Sequence, residues 1–333
     1  MTFEDQVAAV TAHGFTVRQG RFLTTVLRHS GVCLRRQYYA FNGIQPGQVG
    51  CDFFEKLVSR RFASVYPYGP SGARLYHVHH KALYRAIGEP DSRLRRRGTV
   101  VRAVERLMVL DTLAKFRAGI EWLSTEHEKV TYFVHNRELS AKDLPSVSFA
   151  GASTSTTRYF ADKLPVGIQS GGDDVTFVYV ATTQDRRPFR EFLQRHEPLL
   201  LRLRAWRIVV GMPRHAAAVA STHLDVFREF CAAPVRPSVL DEFRWFCEVR
   251  RTAEQRGDRA SAVDLERYAR ARRAFGAPRF FSAYRRWRDV GEPALLRLIS
   301  PTLHDSYQRG TVALDLMVLP HLYGEVGVLV RTA

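Results

Sequence analysis

Residues 19 to 87 change periodicity in an order that few folds share. Gln19 to His29 (QGRFLTTVLRH) reads as a short helix with Phe22, Val26 and Leu27 on one side, and Ser30-Gly31 ends it. Leu34 to Ile44 (LRRQYYAFNGI) reads as a second helix with Asn42-Gly43 as its stop. Gln45-Pro46-Gly47 is a tight turn. Gln48 to Phe62 (QVGCDFFEKLVSRRF) forms a third helical pattern, with Phe54, Leu57 and Val58 on one face. Two β-like segments follow, Ala63 to Tyr68 and Ala73 to His80, on either side of the turn Gly69-Pro70-Ser71-Gly72. Lys81 to Ile87 closes the block as another helix.

Helix, helix, turn, helix and a two-stranded ribbon is the order of a winged helix-turn-helix. In that arrangement the third helix enters the major groove, about 12 Å wide. The preceding helix crosses the backbone and the ribbon reaches nearby phosphates. The outward side of the third helix then offers Gln48, Asp52, Lys56 and Arg60. Arg35 and Arg36 lie early on the second helix, and Arg74 lies on the ribbon near Tyr66 and Tyr68. Winged helices also serve as protein-binding modules, so the order alone does not choose the partner.

Charge does favour one. The 333 residues carry 50 Lys or Arg against 33 Asp or Glu, a net charge of +17, and only six of the basic residues are Lys. A GC-rich genome explains Arg over Lys. It does not explain an excess of bases over acids. Arg recognises phosphate and guanine because its planar fork donates two hydrogen bonds together. Nucleic acid, specifically double-stranded DNA, is the expected partner.

Three blocks are expected: residues 1–92, 99–236 and 237–333. The basic stretch Arg93-Leu94-Arg95-Arg96-Arg97-Gly98 reads as a connector. Prolines 234 and 237 mark the second break. The middle block runs helix (Val100 to Phe116), strands, hairpin, strand (Val175 to Val180), helix (Pro188 to Leu203) and strand (Trp206 to Gly211), then a helix from Arg214 to Phe230. Tyr132 to Val134 is β-like or the end of a helix starting near Glu126. This is the order of the restriction-endonuclease-like fold. Such nucleases hold a divalent metal with one acid and an acid-x-Lys pair on the next strand. Asp162 could be the first acid, but Val175-Thr176-Phe177-Val178-Tyr179-Val180 holds neither acid nor Lys. The domain is therefore expected to be degenerate, with Asp162-Lys163 an exposed turn pair and no bound metal. The third block is mostly helical and Arg-rich: residues 244 to 288 hold 13 Arg and five acids, interleaved with aromatics. Arg285 and Arg286 are its candidate phosphate contacts, with partner protein the other possibility. Thr311 to Leu319 and Val326 to Arg331 read as strands of an unplaced sheet. The overall expectation is an α+β protein.

Other chemistry is weakly signalled. His77-Val78-His79 resembles the metal-binding strand of relaxases, with Tyr84 as nucleophile, but the ribbon explains the same residues. None of the 12 histidines begins the His-x-x-Arg of a tyrosine recombinase. Neither a GxxxxGK[ST] loop nor a GxSxG elbow occurs, and Thr154-Ser155-Thr156-Thr157 reads as a polar loop. The four cysteines are far apart, which argues against a zinc site and a disulfide scaffold. No apolar run reaches the roughly 18 residues of a membrane span, and the acidic start lacks a secretion signal. The expected setting is the cytoplasm, with no membrane partner and no cofactor.

The run GRFLTTVLRHSGVCLRRQYYAFNGIQPGQVGCDFFEKLVSRRFASVYPYG from Gly20, with RYFADKLPVGI and FREFLQRHEPLLLRLRAWRIVVGMP, resembles proteins of mobile elements. In organisation it is similar to replication-relaxation proteins of plasmids, which join a winged helix to a degenerate nuclease-like domain. In length, charge and domain order it resembles the cointegrate resolution protein T family of replicative transposons. The resemblance covers residues 18 to 213 and carries over no site residue. It implies a sequence-specific DNA-binding accessory that serves a separate tyrosine recombinase as a homodimer and breaks no covalent bond itself. The alternatives are a metal-dependent nicking enzyme, relaxase-like or nuclease-like, and a replication or partition adaptor.

Overall fold

Threonines open the first two helices. The Thr2 hydroxyl accepts the Asp5 N–H while the Asp5 carboxylate accepts the Thr2 N–H, and this reciprocal cap starts α1 (Phe3–Thr11). Thr16 and Gln19 repeat the device at the start of α2 (Val17–His29). Helix α1 was not read from sequence, although Thr2 and Asp5 stand at the capping-box spacing.

The computed structural model describes residues 1–68, 73–116, 119–150, 155–169, 171–183, 185–256, 262–321 and 323. It is a mixed α+β protein. After α2 come β1 (Val32–Leu34), α3 (Arg35–Asn42), α4 (Gln48–Ser59), β2 (Ala63–Tyr68), β3 (Ala73–Val78) and α5 (Lys81–Ala86). Strand β1 occupies residues assigned from sequence to the lead-in and first turn of a helix. Its three residues are too few for a period to show. Gly31 makes the reversal before it at φ +71°, where a Cβ would lie 2.6 Å from the Leu94 carbonyl oxygen.

Strand β3 is the middle of an antiparallel sheet ordered β1-β3-β2, with Val32 opposite His77 and Ser64 opposite His77 on the other side. Alternation sorts its side chains between two cores. Cys33, Ala63, Tyr76 and Val78 join Phe22, Tyr38, Phe53, Phe54 and Leu57 of the helices. Val32, Leu34 and Leu75 face the other way, onto Leu107 and Met108 of α6 (Val100–Leu113). The ribbon is thus buried on both faces in β3 from Leu75 to Val78, whereas in β2 Ala63 is buried and Val65 and Pro67 are exposed. Its tip, residues 69–72, lies outside the described residues.

Beyond α6 the chain forms β4 (Ile120–Leu123), α7 (Glu126–Thr131), β5 (Ser146–Ala150), β6 (Ser155–Tyr159), β7 (Val166–Gln169), β8 (Val175–Val180), α8 (Arg187–Leu200) and β9 (Trp206–Pro213). Tyr132–Asn136 continues α7 as a wider helical turn, so those residues are helical rather than extended. Residues 155 to 157, read as loop, are strand, and β6 pairs antiparallel with β5. A five-stranded sheet runs β10-β9-β8-β7-β4, where β10 is Val312–Leu319. Strands β4, β7 and β8 pair antiparallel, whereas β8 and β9 are parallel because α8 crosses between them. Both central strands are buried on both faces. Val178 and Val180 pack toward α6; Phe177 and Tyr179 pack among Phe133, Phe189, Phe192 and His196. Gly211 lies so close beneath Thr112 of α6 that no side chain fits there.

Residues 1–223 and 313–333 make one compact unit, and residues 224–312 make the other. Of the blocks expected from sequence, 1–92 and residues 99–223 of 99–236 therefore share a unit, because α6 serves both the ribbon and the five-stranded sheet, while residues 224–236 fall in the other. The strand Val312–Leu319 finds its sheet there. Residues 326 to 331 lie outside the described residues. The second unit is helical: the chain enters it within α9 (Ala220–Phe230) and continues through α10 (Pro237–Arg256), α11 (Ala262–Ala274), α12 (Pro278–Val290), α13 (Pro293–Leu296) and α14 (Thr302–Gln308). Phe243, Phe246, Phe275, Tyr284, Trp287 and Leu295 form its core. Among the described residues no helix is long and apolar enough to cross a membrane.

Candidate nucleic-acid interface

Helix α4 is the one expected to read bases. Phe53, Phe54 and Leu57 fix its buried side, leaving Gln48, Asp52, Glu55 and Arg60 exposed and Lys56 half-buried. The Gln48 amide donates to the Asp52 carboxylate at 2.7 Å. The Lys56 ammonium donates to the Gly14 carbonyl, and Arg60 donates to the His13 carbonyl at 2.9 Å. Carbonyls carry no net charge, so both cations keep theirs. They are nonetheless held against the α1–α2 turn, and Asp52 and Glu55 offset them. The outer side of α4 offers hydrogen-bonding groups with little net charge.

The other expected contacts divide. Arg35 is half-buried and donates to the Tyr76 hydroxyl at 2.9 Å. Arg36 is put to structural use: both its terminal nitrogens reach Asp111 at 2.8 Å, and the Tyr323 hydroxyl donates to the same carboxylate. Asp111 is nearly buried, with 8% side-chain exposure, and a carboxylate so placed requires a cation. Arg36 therefore clamps α3 to α6. Arg74 is exposed on β3, and Arg285 is exposed on α12. Arg286 is half-buried, and burial pulls its guanidinium below the ordinary value.

A stronger concentration of charge lies where the sequence placed only a connector. Residues Arg93–Arg95 form one tight helical turn packed on the sheet. The Arg95 guanidinium donates to the His79 and Pro90 carbonyls, and His77 Nε2 is 2.9 Å from the Leu94 carbonyl. The Arg97 guanidinium lies 4.8 Å from the Tyr66 ring centroid. Arg102 and Arg106 follow one turn apart on α6, so like charges share a face. Lys163, in the turn before β7 at φ +58°, joins the same group. Its ammonium is pulled down to about 8, first by burial and then by Arg93, Arg102, Arg106 and Arg158. Burial, with Arg102 and Arg93 adding to it, also lowers Arg106. Arg102 pairs with Glu105 at 2.8 Å, and Arg158 approaches Glu126 at 3.8 Å. Among the described residues no carboxylate makes an ion pair with Arg93, Arg97, Arg106 or Lys163. Like charges held together at partial burial raise one another's free energy, and a polyanion relieves it. The run of arginines was visible in the sequence. Its convergence with Arg158 and Lys163 was not, because those residues lie more than 50 positions away.

The residues weighed for catalysis are placed differently. His77 is buried. A carbonyl only accepts, so its Nε2 carries the proton toward Leu94, and burial lowers its pKa and keeps the ring neutral. His79 pairs with the Ser64 hydroxyl at 2.9 Å. Tyr84 is fully buried, its hydroxyl donates to the Val78 carbonyl, and burial raises its pKa. It is not poised for attack on a phosphodiester. Asp162 is not the exposed turn residue expected. Its side chain is 15% exposed; Oδ1 accepts the Leu164 N–H and Oδ2 lies 3.4 Å from His196 Nε2. Lys129, buried beside it, donates to the Leu164 carbonyl, and burial pulls its ammonium down to about 8. These groups tie α7, α8 and the turn before β7 together under Phe160. Lys163 is exposed as a residue, as expected, although its ammonium end is partly desolvated among the arginines. Among the described residues no three His, Cys, Asp or Glu side chains come together as metal ligands.

No family model, curated protein or solved structure matches the chain.

Proposed function

We propose that this chain binds double-stranded DNA as a sequence-specific accessory protein of a mobile element, assisting a separate recombinase without breaking bonds itself. The observation that carries the DNA reading is the cluster Arg93, Arg97, Arg106 and Lys163, held without ion-paired carboxylates among the described residues and with Lys163 pulled down to about 8 by burial and its arginine neighbours. A phosphate backbone is the polyanion that matches it. On this reading α2, α3 and α4 with β2 and β3 act as a winged helix-turn-helix whose ribbon is anchored on α6. The five-stranded sheet acts as a degenerate restriction-endonuclease-like scaffold. Phosphate contacts from the cluster set register, and polar groups of α4, Gln48 and Asp52 with Lys56 and Arg60, read base edges. The recombination role, a tyrosine recombinase as partner and a homodimeric form rest on the resemblance in organisation to transposon and plasmid accessory proteins.

The test is binding to a fragment library of the DNA flanking the gene, at physiological salt with competitor and Mg²⁺. A discrete, uncut footprint over repeats is the expected result. Replacing Lys56 and Arg60 together with Ala should flatten sequence preference while non-specific affinity persists. Nicked product, or binding indifferent to sequence in the wild type, overturns the reading.

A further inference from the structure

Between the α6-facing side of the three-stranded sheet and the start of α6 lies a cavity of about 230 Å³. One water occupies roughly 30 Å³ of liquid, so this space holds a small ring system. Its walls are of two kinds. Val32, Leu75 and Ala103 give apolar sides, and the buried, neutral His77 ring adds a flat one. Arg97 and Arg106 line the same space with guanidiniums that no carboxylate pairs among the described residues. Arg97 already lies over the Tyr66 ring, so a planar cation and a planar aromatic border the cavity together.

Apolar walls favour a flat, uncharged body. Two guanidiniums favour an oxyanion that accepts several hydrogen bonds. One molecule that carries both parts is a nucleotide, with its base in the slot and its phosphate on Arg106 and Arg97. The surrounding charges extend this match. Arg93, Arg102 and Lys163 lie within electrostatic reach of Arg106, so a phosphate next to the held one also meets cations. A paired base cannot enter such a slot, whereas an unpaired or extruded one can, through stacking and edge contacts.

We propose that this cavity is a nucleotide site that takes an unpaired base with its phosphate. The inference rests on the DNA-binding reading for its polymeric source; a free mononucleotide is the other source of the same chemistry. It predicts that the protein prefers DNA with an unpaired base over a fully paired duplex.

The experiment uses the full chain and 2-aminopurine, whose fluorescence falls on stacking. Three probes are compared: a duplex with 2-aminopurine opposite an abasic site, the same duplex fully paired, and free 2-aminopurine deoxyribonucleoside monophosphate, with inorganic phosphate as a competitor. The variants are Ala103→Leu, which fills the slot, and Val100→Phe, which narrows it at the first turn of α6 should the former unfold. Thermal melting checks both. The expected result is at least tenfold tighter binding of the unpaired-base duplex, with quenching. Either filling variant should erase that preference while paired-duplex affinity stays within twofold. Quenched binding of the free mononucleotide, lost in the same variants, supports the site with a free nucleotide as its source. Equal affinity for both duplexes without mononucleotide binding overturns the proposal, as does a preference that survives both variants. Should the paired duplex fail to bind while the mononucleotide binds, the DNA reading falls and the nucleotide site stands.

Discussion

The two arginine-rich regions of this protein use the same side chain in opposite ways. In the helical unit several arginines meet acids or rings, while burial lowers Arg279, Arg286 and Arg297. Arg244 pairs with Asp241 and Glu292, Arg267 with Glu242, and Arg250 and Arg288 with Glu254. Arg267 also lies 3.8 Å from the Trp245 ring centroid, and Arg251 lies 4.6 Å from that of Trp287. The carboxylates register this pairing. Hydrogen bonds from Arg267 hold Glu242 low, and those from Tyr284 and Arg250 hold Glu254 low. Around Arg106 neighbouring arginines add to burial, and together they pull Lys163 and Arg106 down. Density of arginine is thus a poor guide to where an anion binds. The useful quantity is the charge left over after the protein's own acids and rings have been served.

The largest test of that distinction falls on an arginine of the paired kind inside the unit of residues 1–223 and 313–333. Replacing Arg36 with Ala leaves Asp111 buried without its cation and should cost about 3 kcal/mol of stability, read by urea unfolding. Specific DNA affinity of the folded fraction should change little. A stable variant with lost affinity would instead make Arg36 a phosphate contact.

Next in size is removal of the open cluster. Arg93, Arg106 and Lys163 replaced together by Ala remove three cations, so affinity for duplex DNA should fall roughly 100-fold at physiological salt. The slope of log affinity against log salt should flatten by about 2.7, at roughly 0.9 for each lost contact. Fluorescence anisotropy across a salt series measures both, and an unchanged slope would place the phosphate path elsewhere.

A smaller effect isolates one member. Lys163 loses its proton near pH 8 in the free protein, below its ordinary value, because burial and four arginines oppose the charge. Below that pH it is charged and ready to meet phosphate; above it, binding must first take up a proton. Affinity should therefore weaken as pH rises from 7 to 9.5, by roughly fivefold for one contact. Lys163→Arg stays charged throughout and should abolish the pH dependence.

The smallest effect belongs to the helical unit. Arg267→Ala should lower stability by about 1 kcal/mol, since the pair is partly exposed and the ring contact adds modestly. DNA affinity should remain within twofold. A larger loss of affinity would extend the interface into this unit and erase the contrast.

Local signals account for what was readable beforehand. Helices α2 and α4 and strands β2, β3, β8 and β9 announce themselves by period and by bounding turns, since each buries a face or is buried throughout. Strand β1 did not, being three residues long and placed by pairing with β3. Asp162 looked like a turn acid because it precedes Lys163; only the folded chain brings His196 and Lys129 to it. Arg36 looked like Arg35, and nothing nearby in sequence distinguishes the one that meets Asp111, 75 positions on.

Composition and local order therefore determined that the chain is mixed α+β, strongly basic, and built around short amphipathic helices with a ribbon. Those properties follow from side chains within a few residues of one another and from a sum over all charges, which needs no coordinates. Tertiary structure alone decided which charges remain unspent. Whether an arginine faces an acid, a ring or another arginine depends on segments far apart in the chain, and the distance dependence of electrostatics makes those few ångströms decisive.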